Sequence, residues 1–555
     1  MTPKSPPPAR LPVVVLTGFM GTGKSAVGKA LSEILGLTFI DSDTEIEHAE
    51  GASVADIFAS KGEAHFRTLE ADFCRKLEGT TGTVVATGGG MILDRSNRKL
   101  LENLGEVVLL HTSVDVLAAR LGGEASRPVL GSDSLSADET RARISSLLEK
   151  REAVYGSIDF KVDTSELEPA RVAMKIAARL ALPVQSLVVH LSPSREPVPA
   201  GRYGPSRIDI GRGVLSKLGP YLKDAGLDEH VFLLMPQNLQ DLYLEQVQAS
   251  LDEESIDANV LTIKDGDVEK HLPQVAQIID ALIDAGARRD ATIVPIGGGV
   301  TGDIGGFVAS AFMRGVPLVQ VPTTLLAQVD SSVGAKVGVN HPRAKNLIGA
   351  FYQPHFILDD PCTFRTLPME EISNGMAEVV KSAFVASADV FAFLEDQITV
   401  DASVRLRDIA FLERCVLEAA SIKTNIVNGD PLERGDRRFM NFGHTLGHAL
   451  ETLGHYRGLK HGQAVSLGMI AALRISVRRG RIEEDLLNRA FALLKWCGLP
   501  VEFESFDRNA LAEAMLLDKK IKHGKLHFVL PTGLGSAEVV DDVTVDEILS
   551  VVEEG

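Results

Sequence analysis

Along the first third of the chain, short apolar runs alternate with stretches of helical period. VVVLTG (13–18), TVVATGGG (83–90) and EVVLLHT (106–112) read as buried parallel strands, and SAVGKALSEILG (25–36) as an amphipathic helix. That alternation predicts a layered α/β domain over 12–182 behind a proline-rich, disordered tail at 1–11. Pro, Gly, Ser and Arg then crowd together without apolar period, which predicts a linker within 183–206. The α/β pattern restarts with HVFLLMP, ANVLTI and ATIVPIGGG, and from about residue 368 it gives way to helical segments such as EEISNGMAEVVKSAFVA and GQAVSLGMIAALRISVRRG. An α/β half (186–367) and a helical half (368–555) follow, together forming one enzyme.

At 555 residues more than one domain is expected. A net charge of −18 argues against nucleic-acid partners, though not against local pockets for small anions. The four cysteines form no Cys-x-x-Cys pair, which points to a reducing, cytoplasmic setting. No apolar run is long enough to predict a membrane span, and VVVLTGF does not read as a signal peptide.

Gly18-Phe-Met-Gly21-Thr-Gly23-Lys24-Ser25 fits G-x-x-x-x-G-K-[ST] between a strand and a helix. Such a loop curls backbone N–H groups around phosphates, with Lys24 on the terminal phosphates and Ser25 on Mg²⁺. FIDSDTEIE adds Asp41 and Asp43, read as alternate residues on one side of a strand's end, one for the metal and one to take a proton. Arg67, Gly88, Gly89, Gly90, Arg127 and Arg151 follow in GEAHFR, TGGG, SRPVL and KREAVY.

In that order these pieces resemble shikimate kinase over 12–182, which implies a three-layer P-loop fold with a parallel sheet. The resemblance implies an ATP site at Gly18, Gly21, Gly23, Lys24, Ser25, Arg120 and Arg127, with Mg²⁺ at Ser25 and Asp41. It makes Asp43, Lys24 and Arg127 catalytic, Arg127 on a mobile lid. It implies that shikimate lies against Asp43, Arg67, Gly89, Gly90 and Arg151.

Farther on, Gly297-Gly298-Gly299-Val-Thr-Gly302 fits G-x-G-x-x-G, although no acidic residue marks the second strand of a standard Rossmann domain. Many cations follow, which suggests a pocket for an anionic substrate. MNFGHTLGHALETLGHYRGLKHGQAV (440–465) holds His444, His448, His455 and His461. Neutral imidazoles with a carboxylate suit Zn²⁺. His444 and His448 share a helix face, but Thr445 stands where a zinc protease carries Glu, and spacing alone leaves the choice of ligands open.

GGGVTGDIGGFVAS, RGVPLVQVPTTLLAQVDSSVGAKVGVN, GMAEVVK, NFGHTLGHALE, HGQAVSLGM and DKKIKHGKLHFVLPTGLG resemble 3-dehydroquinate synthase over about 186–555. The resemblance implies Glu378, His444 and His461 as ligands of Zn²⁺ or Co²⁺. It implies an NAD⁺ site at Asn238, Asp267, Lys270, Gly298, Gly299, Asp303, Thr323, Thr324, Asp330, Lys345 and Thr366. Phosphate and carboxylate of a heptulosonate phosphate fall to Lys336, Asn346, Lys423, Arg437, Asn441, His448 and Lys520. Lys381, His448 and Arg314 become catalytic, Arg314 being implied to reach across a homodimer interface. Departures from the family pattern are Pro236, Asp267, Ala335, Val337 and Gln463. Two steps of one pathway in one chain make the expected protein a bifunctional, small-molecule enzyme. The alternatives are a metal-dependent polyol dehydrogenase, a cyclase for another sugar phosphate, or a catalytically silent binding module.

Overall fold

The computed structural model describes residues 11–121, 137–190, 204–342, 344–433, 435–454, 458–503, 507–516, 521–522 and 525–554. Arg127, His455 and Lys520 lie outside them. The chain divides into two compact units, one built mainly of Ala9–Pro183 and the other mainly of Val184–Leu244 and Glu254–Gly555.

The first unit is a five-stranded parallel sheet: β1 (Val13–Gly18), β2 (Thr38–Asp41), β3 (Thr83–Ala86), β4 (Glu106–His111) and β5 (Phe160–Asp163), ordered β2-β3-β1-β4-β5. Every residue of central β1 is buried, as expected for a strand covered on both faces. Side chains alternate across a strand, and the two faces join different cores. Val14 and Leu16 pack with Val27, Leu31, Val172 and Ile176, whereas Val13 and Val15 pack with Phe73, Leu77 and Leu101. Three layers result.

The second unit contains β6 (Gln185–Val189), β7 (Ser206–Ile210), β8 (His230–Pro236), β9 (Ala258–Ile263), β10 (Ala291–Gly297), β11 (Val319–Pro322), the hairpin β12 (Lys336–His341) and β13 (Ala344–Phe351), and β14 (Phe356–Asp359). The main sheet runs β6-β7-β14-β11-β10-β8-β9, parallel except for edge strand β6. Part of the predicted linker is therefore strand. Its apolar run, residues 187–189, pairs with residues 206–208 and is too short to stand out beside the prolines that follow.

From β8 the chain crosses to β9, while from β10 it crosses the other way to β11. Between their carboxyl ends lies the switch point where open α/β sheets bind ligands. Asn238 and the triple glycine flank that crevice. The helical half is built around Met369–Ala386, Ile409–Gly429, His444–Leu453 and His461–Arg478, which share one apolar core.

Candidate functional sites

In the first unit, Gly18, Gly21 and Gly23 have φ of 148°, 82° and 88°, backbone that only glycine adopts without strain. A side chain at Gly18 would also meet the Leu110 carbonyl at 2.2 Å. Lys24 folds back to donate to the Gly18 and Phe19 carbonyls at 3.1 Å each, and Arg120 donates to the Gly21 carbonyl at 3.2 Å. Ser25 donates to Asp41 at 2.5 Å, so the two proposed Mg²⁺ residues are adjacent.

Asp41 and Asp43 are not alternate strand residues. The strand stops at Asp41 because its carboxylate caps the helix Ser42–Glu50, accepting from the Asp43 and Thr44 N–H groups. Asp43 thus sits in the first helical turn. Burial, then the Asp41 charge, pushes its carboxyl above the usual range.

The TGGG loop closes the site. Gly88 donates to Ser42 Oγ at 2.8 Å, and any side chain there would meet Asp43 at 2.7 Å and Glu70 at 3.0 Å. Buried Arg151 donates to the Gly89 carbonyl at 2.6 Å and stacks on Phe19 of the P-loop. Arg67 presses on Gly90 and is held by Glu70 at 2.7 Å. Glu70 and Tyr155, which bonds Arg151 at 3.2 Å, were not singled out in the sequence. Glu70, three residues beyond Arg67 on one helix, had a local signal.

In the second unit, Gly297 to Gly302 turn from β10 into the helix Gly299–Ala311. Side chains at Gly298 or Gly299 would meet Thr324 at 3.2 Å or Ser331 at 2.8 Å, and Thr323 N–H donates to the Gly297 carbonyl. Asp303 pairs with buried Lys270, which also donates to Asn346 at 2.6 Å. Lys345 bridges Asp267 at 3.2 Å and Glu451 at 2.8 Å. Asn346, expected on the substrate, is thus in contact with Lys270, expected on the dinucleotide. Thr366 bonds Tyr243 and the Thr363 carbonyl. Pro236 ends β8 as a buried residue and offers no carboxylate for a ribose.

Three helices meet at glycines. Side chains at Gly462 and Gly468 would meet the Asn374 and Gly443 carbonyls at 2.1 and 1.8 Å. That approach brings Glu378, His444 and His461 together. Glu378 Oε1 stands 3.6 Å from both His444 Nε2 and His461 Nε2, too long for hydrogen bonds. His444 Nδ1 faces the Phe442 carbonyl at 3.2 Å, so Nδ1 carries the proton and Nε2 presents a lone pair. His461 Nδ1 faces Glu451 at 3.3 Å and keeps its proton there; against burial, Glu451 and Glu378 push the imidazole pKa up to about 9, so a bound ion would displace the Nε2 proton. These donors fit a divalent ion with an open position. A second cluster, His448, Glu451 and His461, is also close enough, but Glu451 is engaged by Lys345 and by the Nδ1 side of His461.

Cations surround the centre. Lys381, fully buried, pairs with Glu378 and lies 3.7 Å from Asp330. Lys423 donates to Asp330 at 2.6 Å, and burial pulls its pKa down to about 8 despite that partner. Against the upward push of burial, Lys423 and Lys381 hold the Asp330 carboxyl well below the usual range. Asp330, expected on NAD⁺, therefore lies between Lys423 and Lys381, both buried. Arg437 is buried against the Gly334 and Pro431 carbonyls, and Glu433 links Lys336 to Asn441. Glu433 and Glu451 had escaped the sequence reading, although Glu451 lies in the quoted NFGHTLGHALE. Gln463 caps the Lys460 N–H at 2.9 Å, a bond that Gln makes as well as Glu.

Fold and site define a P-loop phosphotransferase unit and a dinucleotide-type α/β unit with a metal centre in a cationic pocket. Residues 20–181 match the shikimate kinase family model, and 260–374 and 375–521 match those for the N-terminal and C-terminal parts of 3-dehydroquinate synthase. A 3-dehydroquinate synthase of Pelobacter propionicus is 42% identical over 342 residues, 62% of this chain and 94% of that protein. Among solved structures, a 2-epi-5-epi-valiolone synthase from Streptomyces hygroscopicus with NAD⁺ and Zn²⁺ bound is 28% identical, with a TM-score of 0.59 over 64% of this chain and 99% of that one. A 2-deoxy-scyllo-inosose synthase complexed with carbaglucose-6-phosphate, NAD⁺ and Co²⁺ is 25% identical, with a TM-score of 0.58 over 67% and 100%. The chain belongs to the 3-dehydroquinate synthase family and carries a shikimate kinase domain ahead of it.

Proposed function

We infer that the protein catalyses two steps of aromatic biosynthesis: ATP-dependent phosphorylation of shikimate to shikimate 3-phosphate, and conversion of 3-deoxy-D-arabino-heptulosonate 7-phosphate to 3-dehydroquinate and phosphate. In the kinase, Asp43 takes the acceptor hydroxyl's proton, Arg67 and Arg151 grip the carboxylate, and Lys24 and Arg127 neutralise the moving phosphoryl group. Mg²⁺ belongs at Ser25 and Asp41.

In the synthase, Asn238, Asp267, Lys270, the triple glycine and Lys345 bound the NAD⁺ site, and Glu378, His444 and His461 hold Zn²⁺ or Co²⁺. When bound, NAD⁺ would supply a hydride acceptor and the ion a Lewis acid on the oxygen being oxidised, chemistry that would make the neighbouring proton acidic enough for phosphate elimination before the hydride is returned. Lys336, Asn346, Lys423, Arg437, Asn441 and His448 hold the anionic groups of the substrate, together with Lys520. Arg314 is exposed on the tight turn Phe312–Arg314, which fits a role at a homodimer interface. No helix among the described residues is long and apolar enough to cross a membrane, in keeping with a cytoplasmic enzyme.

The observation that carries the synthase reading is the concentration of buried cations around the proposed metal ligands. Lys381 pairs with Glu378 and Lys423 with Asp330, Arg437 is buried beside them, and a divalent ion bound there would add two positive charges. A doubly anionic substrate offsets them, whereas a neutral polyol leaves them uncompensated. Family membership likewise disfavours the dehydrogenase. Phosphate release and NADH absorbance, followed together, test this. Phosphate should appear without NADH building up. Steady NADH from a simple polyol, with no phosphate from the heptulosonate, overturns the reading.

A further inference from the structure

Glu451 is 3% exposed and lies on the helix His444–Leu453, seven residues beyond one proposed metal ligand. Its Oε1 faces Nδ1 of His461 at 3.3 Å and also takes the Lys345 ammonium at 2.8 Å. Lys345 belongs to β13 in the α/β half and reaches Asp267 as well, in the short turn after β9. Three residues on, Lys270 pairs with Asp303 of the helix that follows the triple glycine, and with Asn346, the neighbour of Lys345. A chain of charged contacts thus runs from the metal centre to the dinucleotide-side turn: His461, Glu451, Lys345, Asp267.

We propose that Glu451 is a positioning residue that aims His461 at the metal and, through Lys345, couples metal occupancy to dinucleotide binding. A carboxylate on the far nitrogen of a ligating imidazole fixes its tautomer and ring angle, and its loss typically costs about 10–100-fold in metal affinity. One oxygen shared by His461 and Lys345 means that movement of either shifts the other. The coupling is reciprocal: whatever metal does for dinucleotide affinity, dinucleotide does for metal affinity. The proposal rests on the metal set assigned above.

The test uses the full chain, with Zn²⁺ affinity read by competition with a chromogenic chelator. NAD⁺ affinity is read by calorimetry on zinc-loaded and zinc-free protein. Wild type should bind NAD⁺ more tightly when loaded. Glu451→Gln, similar in shape but uncharged, should lose about tenfold or more in Zn²⁺ affinity, and its two NAD⁺ affinities should become equal. Lys345→Met should likewise equalise them, with Zn²⁺ loss smaller than in Glu451→Gln. Circular dichroism melts check folding, and Glu451→Asp serves as a conservative substitute that should recover part of both effects. Wild-type zinc affinity in Glu451→Gln, or an unchanged ratio of NAD⁺ affinities in either variant, overturns the proposal. If His461→Ala also keeps its zinc, the metal assignment itself is at fault. If His461→Ala loses zinc while Glu451→Gln does not, only the role of Glu451 falls.

Discussion

Lys423 donates twice to Asp330, to its carbonyl at 2.5 Å and to its carboxylate at 2.6 Å. Burial pulls the lysine's pKa to about 8 even so. A lowered ammonium pKa leaves the charged form below that pH and the neutral form above it. The synthase KM for its phosphate substrate should therefore rise as pH passes about 8. Lys423→Arg, whose charge persists, should flatten that rise whatever it does to turnover. Initial rates across pH 7–10, roughly the range in which lysine titrates here, check this.

Metal content should separate the histidines. His444→Ala and His461→Ala should retain little zinc after dialysis, while His448→Ala should retain it and lose turnover. Equal loss in His448→Ala and His461→Ala would place His448 among the ligands.

Lys24→Ala should lower shikimate phosphorylation by about 10²–10³-fold or more, since it removes a cation from a phosphoryl-transfer site. Phosphate release from the heptulosonate should not change, because Lys24 and the metal centre belong to different units. Loss of both activities in a folded variant contradicts independent sites.

Ala335, one of the departures from the pattern of the resemblance, carries φ of 60° in a buried position. Left-handed backbone costs a non-glycine residue roughly 1–2 kcal/mol, and glycine returns about 0.4–1 kcal/mol through the looser unfolded chain. Ala335→Gly should therefore stabilise the synthase unit by up to about 1 kcal/mol. Urea unfolding followed by the fluorescence of Trp496, the only tryptophan, measures it. Destabilisation would mean that the Ala335 methyl is held by packing stronger than the strain.

The kinase acid limb should also be shifted. Asp43 must be ionised to accept a proton, and burial with Asp41 raises its pKa. Phosphorylation should thus fall on acidification at a higher pH than an ordinary carboxylate gives, and Asp41→Asn should move that limb downward. An unmoved limb assigns the titration elsewhere.

Sequence by itself determined what is local. Strand, glycine turn and helix N-terminus are contiguous, so both phosphate-type loops were legible from spacing, as was the change from α/β to helical pattern. Resemblance supplied most of the site residues, and the structure brings many of them together. Tertiary structure decided the rest. Whether Asp41 ended a strand or capped a helix depended on which N–H groups it met. Asp330 and Lys423 stand 93 residues apart, and no period links them. Nothing local marks Glu451 as more than a helical carboxylate; its place is set by Lys345, 106 residues away, and His461, which meet on its oxygen. Spacing could put His444 and His448 on one face but could not say which imidazoles converge on Glu378. That required glycines at 462 and 468 to let three helices approach to backbone contact. A metal centre is a relation between distant segments, and only packing sets it.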